Sequence, residues 1–290
     1  MKVFQFVLGA LSLIGLSARV DAGQLYASTA AGAAGELYRI NPATGALLQD
    51  VGPLNDASGA NYSMTGLAFH PITNVLYGST GNANTAAQGT LVTINPATAQ
   101  VTVVGAFNAG PTNSSGSPAT MADIDFDAAG NLYGVASIGG PDLYSINVAT
   151  GQATLVGANG ASTSTSGGGL AISAAGVFYG TPTSSRFGAY NSTTGAYTNI
   201  ANPAKPAGTG AYSSLAFDGS VLYGLNTGPG SPPPTHIVTI DPSTGTVTDI
   251  GASLASLDAI AFQVVIPEPS GVVLLAIAAI ALGARRDSDR

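Results

Sequence analysis

Leu37-Tyr38-Arg39-Ile40-Asn41-Pro42-Ala43-Thr44-Gly45 decides the fold, because the phrase recurs along the chain. It returns as Leu91-Val92-Thr93-Ile94-Asn95-Pro96-Ala97-Thr98 and as Leu143-Tyr144-Ser145-Ile146-Asn147-Val148-Ala149-Thr150-Gly151. Two further copies are Ala189-Tyr190-Asn191-Ser192-Thr193-Thr194-Gly195 and Ile237-Val238-Thr239-Ile240-Asp241-Pro242-Ser243-Thr244-Gly245. Each copy alternates as a strand does and closes in an Asn- or Asp-led turn, which in four of the five copies has a glycine that permits a positive φ. A second strand-like run follows each, at 46–51, 101–104, 153–156, 196–200 and 246–250. The phrase is therefore a hairpin.

A second phrase interleaves with the first: Gly66-Leu67-Ala68-Phe69, Asp123-Ile124-Asp125-Phe126, Gly169-Leu170-Ala171-Ile172, Ser214-Leu215-Ala216-Phe217 and Ala259-Ile260-Ala261-Phe262. The first four lead, after a short turn, into Leu76-Tyr77-Gly78, Leu132-Tyr133-Gly134, Phe178-Tyr179-Gly180 and Leu222-Tyr223-Gly224. The fifth has no such follower, and its missing partner stands near the other end as Leu25-Tyr26-Ala27. A repeat that starts and stops out of phase closes on itself when its two ends pair within one unit, which removes exposed sheet ends. The expectation is all-β: a five-bladed β-propeller over 23–265, with 259–263 as the innermost strand of a blade completed by 25–51. An open β-solenoid is the rival architecture, and it leaves the phase shift unexplained. In order and phrasing the repeats loosely resemble NHL or YVTN-type β-propeller repeats.

Small residues in the second phrase suit strands that converge on a central axis. The tyrosines at 26, 77, 133, 179 and 223 hold one repeat position and are expected to pack between blades. The connections 52–65, 81–89, 105–122, 157–168, 201–213 and 226–235 share one face, are long, and are rich in Ser, Thr, Asn and Gly. Long loops on a rigid scaffold are where binding usually resides. Tyr62, Phe107 and Tyr212 lie in them, as rings that stack on sugar faces or that pin the loops to their blades.

Charged residues make up only 8% of the chain, with net charge −7 and no cysteine. Stability then rests on the apolar core without disulfides, and the acidic surface repels phosphate backbones, so nucleic acid is not an expected partner. A cysteine nucleophile and a zinc cluster are excluded by composition, and the only histidines, His70 and His236, fall at a turn and a strand start. The chemical oddity is Asp123-Ile124-Asp125-Phe126-Asp127, where alternation sets the carboxylates on one face. Asp123 and Asp125 replace Gly, Ser or Ala of the sister phrases, which puts them near the axis. No cofactor is implied, apart from calcium held by Asp123 and Asp125; solvated carboxylates are the plainer reading. Asp127 matches Asp218 at the same pre-turn position.

Both ends carry trafficking signals. Lys2 precedes an apolar run and Val20-Asp21-Ala22, which reads as a signal peptide over 1–22 cut between Ala22 and Gly23. At the other end Ile266-Pro267-Glu268-Pro269-Ser270 leads into an apolar run, 271–284, and then Arg285-Arg286. This tail, 266–290, resembles the PEP-CTERM sorting signal of exported bacterial proteins. The resemblance implies a sorting motif at Pro267, Glu268 and Pro269, a transient membrane span with Arg285 and Arg286 as its basic stop, and processing by an exosortase after signal peptidase. A buried C-terminal helix is the alternative. The expected destination is the cell surface or extracellular matrix, and the expected role a non-enzymatic binding or structural module, with extracellular polysaccharide as a partner. A hydrolase or lyase acting on such polysaccharide through channel carboxylates is the alternative.

Overall fold

In the computed structural model, residues 23–30, 32–81, 83, 85–108, 120–136, 142–157 and 168–263 are described. The signal segment with Ala22, and the tail with Pro267, Glu268, Pro269, Arg285 and Arg286, lie outside them. Twenty strands follow one another: β1 (Gln24–Thr29), β2 (Glu36–Ile40), β3 (Leu47–Pro53), β4 (Met64–Phe69), β5 (Leu76–Thr80), β6 (Thr90–Ile94), β7 (Val101–Ala106), β8 (Met121–Phe126), β9 (Leu132–Ala136) and β10 (Leu143–Ile146). They continue as β11 (Ala153–Gly157), β12 (Gly169–Ile172), β13 (Phe178–Thr181), β14 (Phe187–Tyr190), β15 (Tyr197–Ala201), β16 (Ala211–Asp218), β17 (Val221–Thr227), β18 (Thr235–Ile240), β19 (Val247–Ala252) and β20 (Leu257–Gln263). Among the described residues there is no helix.

The strands form five four-stranded antiparallel sheets: blade 1 is β4–β7, blade 2 β8–β11, blade 3 β12–β15, blade 4 β16–β19, and blade 5 joins β20 to β1–β3. The closing pair runs from Gln24 opposite Gln263 to Thr29 opposite Leu257, so the body's first and last strands seal the ring as the phase of the repeat requires. Inner strands β20, β4, β8, β12 and β16 contact one another in turn around the axis.

Local chemistry explains the hairpins. The side-chain oxygens of Asn41, Asn95, Asn147, Asn191 and Asp241 each accept the backbone N–H two residues on, folding the turn before the fourth strand. The outer strands run one or two residues further than their apolar pattern, because each crosses a β-bulge next to a glycine or alanine: Leu91 faces Gly105, while Val92 faces Val103.

Between blades, each repeat tyrosine meets a phenylalanine of the next blade. The pairs are Tyr26–Phe69, Tyr77–Phe126, Tyr133–Phe178, Tyr179–Phe217 and Tyr223–Phe262, with ring centroids 4.7–5.9 Å apart. In blade 3 the inner-strand position holds Ile172, and Phe178 of the adjacent strand takes over the contact. A second seam packs the third-to-fourth-strand turn of one blade on the outer bulge of the blade before it. A Cβ on Gly151 would strike the Gly105 carbonyl, and one on Gly195 the Gly157 carbonyl. These glycines thus answer to a close approach as well as to a positive φ.

Candidate functional site: the central axis and the long-loop face

The axis is built from a bulge repeated in the inner strands. Register shifts between Met64 and Gly66, Met121 and Asp123, and Tyr212 and Ser214 leave Thr65, Ala122 and Ser213 unpaired, and Asp258 holds the same place in β20. These residues keep partial exposure at the mouth nearest the long loops. The next level holds Gly66, Asp123, Gly169, Ser214 and Ala259. One step on, opposite the repeat tyrosines, stand Ala68, Asp125, Ala171, Ala216 and Ala261.

Small side chains let inner strands of non-adjacent blades meet, β8 with β16 and β4 with β16. In that narrow space Asp123 is fully buried. Its Oδ2 accepts the N–H of Leu170 from blade 3 and of Leu215 from blade 4, both at 3.0 Å, and its Oδ1 accepts the N–H of Ile124 at 3.0 Å. The Ile260 N–H, at the same repeat position, is taken by Ser214 Oγ at 3.1 Å. Converging backbone donors make an anion-binding environment, and one carboxylate of the chain itself occupies it. Asp125 does the same one level down, its Oδ2 accepting Ile172 N–H at 2.7 Å and its Oδ1 accepting Phe126 N–H at 2.8 Å.

Burial governs the titration of these groups. Desolvation pushes Asp123 well above the usual carboxylate range, against the pull of its N–H donors and with a smaller push from Asp125. Desolvation likewise raises Asp125 to about 7, opposed by its two backbone donors. Asp258 is raised to about 7 by the same cause, opposed by a hydrogen bond with Ser213. Asp125 and Asp258 are set deep in the molecule yet retain accessible surface, as groups lining a narrow channel do.

The surroundings of the axial acids bear on the calcium expectation. Both oxygens of Asp123 and both of Asp125 face N–H donors, whose positive ends oppose a cation, and among the described residues no three acidic or histidine side chains gather. Asp127 spends its carboxylate on its own turn, accepting from the N–H groups of Ala129 and Asn131 and from the Asn131 amide. His70 also serves a turn, its Nδ1 accepting the N–H groups of Ile72 and Thr73. His236 pairs with Asp249 at 3.0 Å on the blade 4 rim.

The three loop aromatics are corrected as sugar-stacking rings. Tyr62 is 5%, Phe107 0% and Tyr212 1% exposed, so their faces are spent on the core. Tyr62 Oη donates to Asp56, and Tyr212 Oη donates to the Ala204 carbonyl, each holding its loop down. The signal was present in the repeat: Phe107 stands where Leu54 stands in blade 5, and Tyr212 where Met64 and Met121 begin their inner strands. Gly23 is buried beside Phe262 and Asp218. Shallow grooves beside the outer turns of blades 2 and 4, at Asn147 and Gln152 and at Asp241 and Thr246, share one repeat position and follow from hairpin shape.

The profile of a repeat family of unknown function, DUF6923, matches residues 53–215, more than half of the chain. The chain belongs to this family. The DUF6923 match covers blades 1, 2 and 3 entire, so the family's repeat is the propeller repeat seen here. Among solved structures the chain is similar to the crystal structure of a structural-genomics protein of unknown function from Bacteroides thetaiotaomicron, at 12% identity and a TM-score of 0.42. That match covers 70% of this chain, which spans about half (53%) of the other. No curated protein matches the sequence.

Proposed function

We propose that this chain is an exported protein of the cell surface or extracellular matrix, a non-enzymatic binding or structural module carried to its place by an exosortase that reads Pro267-Glu268-Pro269. One observation carries the reading beyond the terminal signals. The body begins at Gly23 and its last described residue is Gln263, paired with Gln24, so chain entry and exit lie together on the face of the short turns. The long Ser-, Thr- and Asn-rich connections belong to the other face, the one that a surface module bound to polysaccharide would use. The engagement of Asp123 and Asp125 by backbone donors supports a structural use of the axial acids.

The intact mass of the protein purified from its native producer tests this reading. Expected are a first residue of Gly23 and a C-terminus trimmed near Pro267-Glu268-Pro269. An untrimmed polypeptide dissolved inside the cell overturns it.

A second reading is a hydrolase or lyase on extracellular polysaccharide. It is favoured by Asp125 and Asp258, two partly accessible carboxyls raised to about 7, a range suited to acid and base work. Shortening of isolated matrix polysaccharide by the protein, abolished by Asp125→Asn with Asp258→Asn, selects this reading. Binding without shortening, retained in the same variants, selects the first.

A further inference from the structure

The rim offers a comparison that the repeat makes internally. One strand ends each blade with no further strand beside it: β3, β7, β11, β15 and β19, although in two of them the first N–H is taken by the loop of the preceding blade, Val101 donating to the Asn55 carbonyl and Ala153 to the Phe107 carbonyl. Such edges present free N–H and C=O groups and are normally guarded by charge. In the middle of each edge strand, across from the bulge-flanking residue of the third strand, one side chain holds the same place. It is Asp50 opposite Tyr38, Asp249 opposite Val238 and Asn199 opposite Gly188. In blades 1 and 2 it is Val103 opposite Val92 and Leu155 opposite Tyr144. These two are 45% and 51% exposed, although they sit on neighbouring blades of a chain with net charge −7.

Charge is missing around Val103 as well. Residues 57–122 contain no Asp, Glu, Lys or Arg, a span that includes all of blade 1. Two copies of an acidic protein repel one another over most of their surface, and this stretch of rim is where they approach without that penalty. Edge strands β7 (Val101-Thr102-Val103-Val104) and β11 (Ala153-Thr154-Leu155-Val156) combine β-branched and aliphatic residues with no proline and no charge, a composition that adds strands readily. A neutral polysaccharide gains most from exposed rings, and these two strands present none.

We propose that β7 and β11 are docking edges for a second copy of this chain, each pairing antiparallel with its own counterpart through main-chain hydrogen bonds, with Val103 and Leu155 packed across the contact. A two-fold contact at one edge makes a dimer. Because the two edges belong to different blades, contacts at both join copies into an open row. The proposal is independent of what the long-loop face binds.

Sedimentation velocity of the full chain in one neutral detergent, over a concentration series, tests it. Expected are species larger than dimers for the natural chain, and at least a tenfold weaker association for Val103→Asp and for Leu155→Asp, which restore the side chain that blades 4 and 5 carry. The double variant is expected to be monomeric, while Asn199→Asp changes nothing. Thermal midpoints of the variants, unchanged at these exposed positions, report that folding is intact. A natural chain that stays monomeric at about 100 μM, far above a micromolar dissociation constant, overturns the proposal. So does a double variant that associates as the natural chain does, since association through any other segment survives both substitutions. Polysaccharide binding by the monomeric double variant is expected to persist, which separates this proposal from the reading of the loop face.

Discussion

Blade 2 departs from its sisters at the axis and again at the rim, and the two departures are treated in opposite ways. At the axis Asp123 replaces Gly66, Gly169, Ser214 or Ala259, and the fold surrounds it with donors from three blades. At the rim Leu155 replaces Asn199, Asp249 or Asp50, and it is left half exposed. A polar group moved inward has to be satisfied within the chain, because burial without partners costs several kcal/mol. An apolar group moved outward costs the monomer little, and whatever satisfies it comes from outside. Exchanging a residue for its sister's is therefore the sharpest way to probe either region.

The largest effect is expected from Asp123→Ala, which installs the blade 5 residue. It leaves the N–H groups of Ile124, Leu170 and Leu215 without their acceptor. At about 1–3 kcal/mol for each unsatisfied buried donor, less what relaxation recovers, a loss of about 3 kcal/mol or more follows. That is a large share of the roughly 5–15 kcal/mol that holds an ordinary domain together. Urea unfolding measures it. Formate added to the variant should restore part of the loss, since the donors still converge. A loss below about 1 kcal/mol, within the spread of ordinary single substitutions, would mean that the axis opens to water and that Asp123 does not clasp the blades.

Next comes Gly151→Ala, which gives blade 2 the residue that blade 1 carries as Ala99. Gly151 has φ +78°, and its added methyl would meet the Gly105 carbonyl of blade 1. Left-handed backbone strain of about 1–2 kcal/mol, with the steric displacement added, predicts a destabilisation of about 2 kcal/mol or more. The denaturation midpoint reads it directly. A neutral result breaks the claim that turns of one blade seat against the bulge of the blade before.

The axial acids also predict how stability follows pH. Unfolded carboxyls ionise near their ordinary value of about 4, whereas Asp125 and Asp258 hold their protons up to about 7 in the folded chain, and Asp123 is raised as well. Between those limits the folded state binds more protons than the unfolded one, so lowering the pH stabilises it. The thermal midpoint should rise by at least a few degrees as the pH falls from 8 to 5, since even about 1 kcal/mol moves it by about 2–4 °C in a domain of this length. The double variant Asp125→Asn with Asp258→Asn should flatten the curve. Below about pH 4 the sign reverses, because the partly exposed Asp56 and the exposed Asp241, held low by turn hydrogen bonds from Ser58 and from Ser243, lose that contribution when protonated. A midpoint that falls steadily from pH 8 to 5 contradicts the burial of the axial carboxyls.

Most of the scaffold could be read from the chain, since hairpin phrase, interleaved inner phrase and phase shift are all local patterns. The pairing of β1 with β20 follows from phase alone, and the tyrosine seam from strict repetition. What could not be read is distance across the axis. Alternation tells that Asp123 points inward, but only the approach of β8 to β16 tells that its carboxylate reaches a blade two away. The loop aromatics show a different limit. Loop membership alone leaves open whether a ring stacks on a sugar or pins its loop, and Leu54 at the position of Phe107 and Met64 at that of Tyr212 mark both as core sites. Asp258 was equally available, standing two residues before Ile260 as Ser213 stands before Leu215.

The smallest effect is expected from the reverse swap, Ala99→Gly. Ala99 has φ +59° and its N–H binds the Asn95 carbonyl at 2.8 Å, the same turn that Gly151 makes on Asn147. Left-handed backbone should favour glycine by about 1–2 kcal/mol. Against this, Ala99 is fully buried in the cluster with Leu54 and Val101, and removing a buried methyl costs about 0.8 kcal/mol. The freer unfolded chain of glycine takes back about another 0.4–1 kcal/mol. The terms nearly cancel, so the unfolding free energy should move by less than about 0.5 kcal/mol, the range of an unremarkable substitution. A gain above 1 kcal/mol would show that the methyl contributes nothing and that the seam between blades 5 and 1 is loosely packed. An equal loss would show that the methyl fills there the space that carbonyl contact fills at the other seams, which makes Ala99 a packing residue retained in spite of its backbone.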